Sequence, residues 1–290
     1  MTGADELRAL LHAGRVTHVP GVYDPVTAAL AVQAGHPAAH LSGAAVSALA
    51  LGRPDLGFVH ATQIADRAAT LVPALNGAPL LADADTGYGN PLHAVWTALA
   101  YRRAGVAGLH LEDQAQPKRC GHLAGKEVID VRLAAAKVAA LVTEVPQLAV
   151  VARTDAYGVN GLTDAIERCR VYAAAGADAV FPEGVDDLGE LARLHDALPG
   201  VPIVVNRSEA GGDRPVIPDA DLAEVGVRLV LHPVTALLAA LRAASLVYRA
   251  IAGGGAGDID RLPWSAFTAL VGQDDALDLD RRYAPGRLPT

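Results

Sequence analysis

Eight short apolar runs, each followed by an alanine-rich stretch of helical period, constrain this chain more than any other feature. They fall at 17–23 (THVPGVY), 38–42 (AAHLS), 79–83 (PLLAD), 108–112 (GLHLE), 148–153 (LAVVAR), 178–182 (DAVFP), 202–206 (PIVVN) and 228–232 (RLVLH). Their apolar residues are consecutive rather than alternating, as in strands buried on both faces. Helices are predicted between them at 25–34, 61–75, 91–104, 130–142, 162–175, 186–197 and 234–252. Asn90 before Pro91, and Thr163-Asp164 before Ala165, supply start signals, and the glycines of RAGVAG and AAGADA supply stops. Eight strand–helix alternations in about 230 residues predict an α/β fold closed as a (β/α)8 TIM-type barrel rather than an open sheet.

The remaining composition narrows the class. Formal net charge is -8 with no dense basic block, which argues against nucleic acid or an anionic membrane as partner. Two cysteines make no disulfide framework and fit a reducing, cytoplasmic setting. The N-terminal MTGADELRALLHAGR is amphipathic and has no signal-peptide core. The apolar stretch at 234–252 is broken by Arg242 and Arg249 and reads as a buried helix of a soluble protein. The glycine-rich AGGGAGD at 252–258 divides a barrel domain, 1–252, from a C-terminal helical tail, 253–290.

Barrel enzymes place their reacting groups at the C-terminal ends of the strands. Here those ends read Tyr23-Asp24, Ser42-Gly43, Asp83-Ala84-Asp85, Glu112-Asp113, Arg153-Thr154-Asp155, Glu183, Asn206-Arg207-Ser208 and His232. Asp83, Asp85 and Glu112 would repel one another unless a cation lay among them, and oxygen-only ligands suit Mg²⁺ or Mn²⁺. No His/Cys cluster has zinc spacing. The DTGYGN segment lacks the Lys-Ser/Thr of a phosphate loop, so its glycines read as a tight turn beside the acids. Arg153 suits a two-pronged grip on a carboxylate or phosphate, or an ion pair with Glu183. Ser42 and Gly43 can offer a hydroxyl and amides to an anion.

Cys120 lies in QPKRCGHLAG, where Lys118, Arg119 and His122 are expected to lower its pKa toward a range useful for proton transfer. Gly121 and Gly125 would let this loop close over a substrate. Cys169, on a predicted helix, reads as a core thiol, and His60, His93 and His110 as surface or core residues.

The segments LADADTGYGN, LHLEDQAQPKRCGHLAGKEV, VARTDA, GADAVFPEG and LGRPDLG together resemble the isocitrate lyase/phosphoenolpyruvate mutase superfamily over about residues 17–250, and its methylisocitrate lyase-like branch in particular. The resemblance implies a Mg²⁺-dependent lyase that breaks a C–C bond of a small 2-hydroxy di- or tricarboxylate. It further implies a homotetramer, a dimer of dimers, whose subunits exchange their C-terminal helices. Carried over by motif, Asp85 would be the main metal ligand, with Asp83 and Glu112 acting largely through water. Asp55 would sit near the reacting centre, and Ser42, Gly43 and Ala44 would hold the 2-oxo acid part. Arg153 would grip a carboxylate, Glu183, Asn206 and Ser208 would complete the pocket, and Cys120 would move the proton at carbon.

Three departures bear on the substrate. His40 stands where the lyases carry tyrosine before the Ser-Gly turn, making it a candidate base. Ala44-Ala45 replace glycine, and Arg207 adds a cation suited to another carboxylate or a phosphonate. The alternatives are a phosphonate mutase or P–C hydrolase, an oxaloacetate decarboxylase, and a silent binding protein. Cys120 favours the lyase, because a thiol protonates a carbanion and has no evident task in phosphoryl transfer.

Overall fold

In the computed structural model, residues 2–212, 216–255, 257 and 259–284 are described. Parts of two segments read above, the 252–258 glycine run and the loop after Ser208, therefore lie outside the described residues. The chain divides into two compact units, Met1–Leu238 and Ala239–Thr290.

All eight predicted strands form in the first unit: β1 (Thr17–Pro20), β2 (Ala39–Leu41), β3 (Leu80–Asp83), β4 (Gly108–Glu112), β5 (Ala149–Thr154), β6 (Ala179–Pro182), β7 (Ile203–Asn206) and β8 (Val227–His232). They are parallel in the order β1-β8-β7-β6-β5-β4-β3-β2. A parallel bridge between Gly21 and His40 brings β1 back to β2, with the Val22 amide donating to the His40 carbonyl at 2.9 Å. Glycine is required at that closure, since a Cβ on Gly21 would lie 2.1 Å from the Pro233 carbonyl oxygen.

Every residue of β3, β4, β5 and β6 is buried, as consecutive apolar runs require. Val19, Leu81, Val151, Phe181, Val204, Leu229 and Leu231 fill the barrel interior. The N-terminal amphipathic stretch becomes a helix, Gly3–Leu11, capped by Thr2, whose Leu7 and Leu11 join that same interior cluster. Arg8 pins it by donating to Asp178 at 2.7 Å and to the Leu148 carbonyl at 2.8 Å. Alternate residues of the strands meet the outer helices, as Val150 and Leu109 do.

Helix boundaries differ where local chemistry intervenes. The helix predicted over 61–75 is α only over Ala61–Leu71 and tightens to a 3₁₀ turn at Val72–Leu75, because Pro73 can donate no amide hydrogen. Asn90 caps Pro91–Arg103 as expected, its side chain accepting from the His93 amide. The next predicted start, at Thr163-Asp164, lies just inside a helix that begins at Leu162 after Gly161.

The second unit holds most of the helix Thr235–Ala252, followed by Trp264–Leu270 and Gln273–Tyr283. The burial expected for 234–252 is not met in a single chain. Leu237 alone in that helix is buried, and Leu241, Leu246, Tyr248 and Ile251 are exposed. By length and composition it is also apolar enough to cross a membrane. Apolar periodicity specifies a face to be covered, not the element that covers it.

Candidate functional site

The C-terminal strand ends surround a cavity of about 140 Å³. Of the residues singled out from sequence, His40, Ser42, Ala44, Asp55, Asp83, Cys120, His122, Arg153, Glu183, Asn206 and Ser208 line it. Gly43, Asp85, Glu112 and Lys118 sit one contact away. The Gly43 amide donates to Asp83 Oδ2 at 3.1 Å, Lys118 Nζ pairs with Asp55 at 2.5 Å and Asp85 at 2.7 Å, and Glu112 Oε2 is 3.4 Å from Arg153 Nε.

Two sequence expectations fail here. Arg119 is exposed and does not line the cavity. Its backbone amide and carbonyl are clamped by the Gln114 side chain at 2.9 and 2.8 Å. Lys118 and Cys120 point inward, so the residue between them points out. Arg207 is also absent from the lining; it adds to the lowering of the His232 pKa, after burial and His18.

The acids are arranged unequally. Asp83 accepts from the amides of Gly43 and Asp85, and its backbone carbonyl accepts from the Tyr101 hydroxyl at 2.8 Å. Burial alone would raise its pKa, but His110, Lys118 and Arg153 overcome that and hold it well below the usual carboxylate range. Asp85 sits in the left-handed region at φ 44°, an unusual place for a non-glycine residue, at the head of the DTGYGN turn. Burial, then the neighbouring Asp83, push its pKa up to about 7 against the pull of Lys118. Glu112 is pushed up chiefly by burial, and neither carboxylate oxygen accepts a hydrogen bond.

The expected convergence of Asp83, Asp85 and Glu112 on one point is not what the side chains do. Among the described residues no three His, Cys, Asp or Glu side chains close into a cation-binding group. The Lys118 ammonium lies against Asp85, and Asp83 is taken up by backbone amides. Glu112 and Asp85 remain as oxygen donors. The orphaned, buried oxygens of Glu112 fit a hard cation that keeps some of its waters.

Arg153 is the charge centre of the floor. Its guanidinium makes a two-pronged pair with Asp155 at 2.9 and 3.1 Å, and reaches Glu112 at 3.4 Å and Glu183 at 3.6 Å. Glu183 also receives Asn206 Nδ2 at 3.3 Å and faces His122 Nε2 at 3.6 Å. Beneath them Asp113 accepts from Thr154, Tyr172 and Arg168 side chains and from the Asp155 amide.

Cys120 reaches this mouth on a loop closed at its base by the Gln114–Val128 bridge. Its amide donates to the Asp55 carbonyl at 3.0 Å, and its Sγ is 3.9 Å from His122 Nδ1. The cations around it were expected to lower the thiol pKa. Burial outweighs them and raises it, so the group stands as a thiol. Cys169 is fully buried in the core, as expected.

His110 is a site residue that sequence reasoning took for a surface or core residue. Its Nδ1 is 3.5 Å from Asp83 Oδ1 and its Nε2 is 2.9 Å from His40 Nε2. Burial pushes His110 down to about 4, and burial with the neighbouring His110 pushes His40 down to about 3. Both stay neutral at pH 7, so His40 is a weaker base than its ordinary value of 6.5 suggested. Below pH 6.5 the unfolded chain takes up protons that the folded pair refuses. Stability is therefore full above pH 6.5 and falls as pH drops toward 4. Each imidazole should contribute a loss of about 2 kcal/mol between pH 7 and pH 5. Urea unfolding of wild type and His40→Phe at both pH values should show a smaller pH-dependent loss in the variant. An equal loss in both would contradict the neutral pair.

Fold and site thus define an α/β-barrel enzyme with an arginine-centred, acid-rich mouth under a thiol-bearing flap. The phosphoenolpyruvate phosphomutase family profile matches residues 7–252. The chain is 38% identical over 284 residues to a 2-methylisocitrate lyase of Halalkalibacterium halodurans, covering 97% of this chain and 93% of that one. It superposes on a crystal structure of 2,3-dimethylmalate lyase with TM-score 0.90 and 31% identity, covering 100% of this chain and 99% of that one. Against oxaloacetate acetylhydrolase in complex with 3,3-difluorooxalacetate the TM-score is 0.88 at 32% identity, covering 97% and 96%. The chain belongs to the isocitrate lyase/phosphoenolpyruvate mutase superfamily.

Proposed function

We propose that this enzyme is a Mg²⁺-dependent C–C lyase that cleaves a small 2-hydroxy di- or tricarboxylate, of methylisocitrate or alkylmalate type, into a 2-oxo acid and a carboxylate. The observation that carries this reading is the Cys120 thiol lining the same small cavity as Asp55, Arg153 and Glu183. Similarity to a methylisocitrate lyase and a dimethylmalate lyase supports it.

Asp85 and Glu112 would hold the metal, with Asp83 orienting the turn through the Asp85 amide. Bound Mg²⁺ would supply charge stabilisation for the oxygens of the 2-oxo acid unit. Arg153 grips a substrate carboxylate, and Ser42 and Asn206 offer further polar contacts. His40, neutral and hydrogen-bonded to His110, holds the hydroxyl rather than titrating with it. Asp55, which lines the cavity, takes the hydroxyl proton as the C–C bond opens. Cys120 then donates its proton to the carbanion carbon, while the closed flap keeps bulk water away.

The uncovered apolar helices of the second unit fit a homo-oligomer in which a second copy of the chain supplies the cover. The decisive experiment is an NMR-followed panel of methylisocitrate, isocitrate, alkylmalates, oxaloacetate and phosphonopyruvate with Mg²⁺. One hydroxy-acid should be cleaved, and EDTA should stop it. Turnover of phosphonopyruvate or oxaloacetate alone would overturn the lyase assignment.

A further inference from the structure

The flap is fastened at a second place by a residue that does not line the cavity. Lys126, whose side chain is 5% exposed, donates from Nζ to the Gly121 carbonyl and to Asp155 Oδ1 at 3.0 Å. The same Oδ1 accepts from Arg153 Nη2 at 3.1 Å, and Oδ2 accepts from Arg153 Nε at 2.9 Å. Asp155 is fully buried. One carboxylate is therefore shared between the arginine on the cavity floor and the lysine that holds the flap next to Cys120.

Gly121 completes the arrangement. A Cβ there would lie 2.6 Å from Arg153 Nη2 and 2.7 Å from Glu183 Cγ, so the flap backbone rests directly on the Arg153–Glu183 pair. Lifting the flap pulls Gly121 off that pair and breaks the Lys126 bridge at one end, at the Gly121 carbonyl or at Asp155. If Lys126 travels with the flap, Asp155 loses one of its two cations, and a buried carboxylate left short of a partner is costly. The closed flap and the set position of Arg153 thus depend on the same buried group.

We propose that Lys126 is a positioning residue, a latch that ties closure of the Cys120 flap to the orientation of Arg153 through Asp155. Its catalytic consequence rests on the lyase reading above, but the latch itself can be tested without substrate. Cys120 is half-buried and Cys169 fully buried, so alkylation by iodoacetamide reads flap opening at Cys120 against a silent internal control.

In Lys126→Met, Cys120 should be alkylated about tenfold faster than in wild type, the change expected from losing one charged hydrogen bond. Removing a cation by itself would disfavour the thiolate and slow alkylation, so acceleration reports opening rather than altered acidity. On the substrate identified by the panel, kcat should fall about tenfold while KM moves much less. Lys126→Arg, which keeps the charge and the reach, should restore both readouts. If Cys169 also reacts, the methionine variant has unfolded, and Lys126→Gln is measured in its place. An unchanged alkylation rate in a folded variant overturns the latch. So does faster alkylation with kcat intact, or a failure of arginine to restore closure. A failed lyase panel leaves the alkylation result readable.

Discussion

Cys120→Ser should lower kcat by about 10²–10⁴, the range a positioned general acid contributes, and leave the fold and metal affinity unchanged. The thiol is half-buried, lies 3.9 Å from His122 Nδ1 and lines the cavity, and serine nearly matches it in size, so the packing is little disturbed. A serine hydroxyl is far less acidic than a thiol and would donate its proton much more slowly to a carbanion. kcat and kcat/KM should fall together, because the interaction exists only while carbon is being protonated. Run in D₂O, wild type should place one deuterium on one face of the product carbon, whereas the variant, relying on water, should label both faces. Since burial raises the thiol pKa above its ordinary 9.0, wild-type turnover should persist past pH 9 and decline only as the thiol ionises. Full turnover in the serine variant would remove Cys120 from the chemistry and return attention to the hydrolase and decarboxylase alternatives.

The barrel was legible because burial on both faces leaves a direct mark on sequence. Runs such as LAVVAR must be apolar at every position, and eight of them leave little choice of architecture. Most cavity residues were legible for a related reason, since strand ends converge in this fold whatever their loops do. What failed was orientation within the loops. Nothing in PKRCG says that Gln114 will clamp the Arg119 backbone and turn that side chain outward. His110 was missed because it sits mid-strand in an apolar run, where a histidine ordinarily satisfies itself in the core. Its partner, His40, lies 70 residues away. Asp155 was read only as one of the strand-end acids and Lys126 was missed, because their importance lies in sharing Arg153 and Gly121, a relation that exists only in three dimensions. The acids show the same limit: alternation places Asp83 and Asp85 near each other, but the Gly43 amide and Lys118 decide what each is used for. The exposed helix at Thr235–Ala252 adds a different case, in which the apolar pattern was legible but leaves its face uncovered apart from Leu237.

Arg153→Met should be the most damaging single change to stability at the site. The guanidinium is buried among Asp155, Glu112 and Glu183 and stacks over Phe181 at 5.3 Å. Methionine fills much of the same volume, so the loss isolates charge from packing. Removing one partner of a buried ion pair costs about 3–5 kcal/mol, which corresponds to a fall in melting midpoint on the order of 10 °C for a domain of this size. Asp155 keeps Lys126, but Glu112 keeps no hydrogen-bond donor at all. The sign of the pH effect follows. Without Arg153 the folded-state pKa of Glu112, already raised by burial, rises further above its unfolded value, and Asp155 loses the largest of the charges that hold its pKa down. The folded variant then takes up protons that the unfolded chain releases, and its deficit should shrink at pH 5 and widen at pH 8. Arg153→Lys keeps a charge but not the planar fork that serves Asp155 with two nitrogens, so it should recover part of the stability and little turnover. Calorimetry across pH 5–8 on the three proteins separates these effects. A methionine variant whose midpoint stays within about 2 °C of wild type at pH 8, a change of less than about 1 kcal/mol, would mean that the acids are neutralised by their own protons rather than by Arg153. The arginine would then be free to serve the substrate alone.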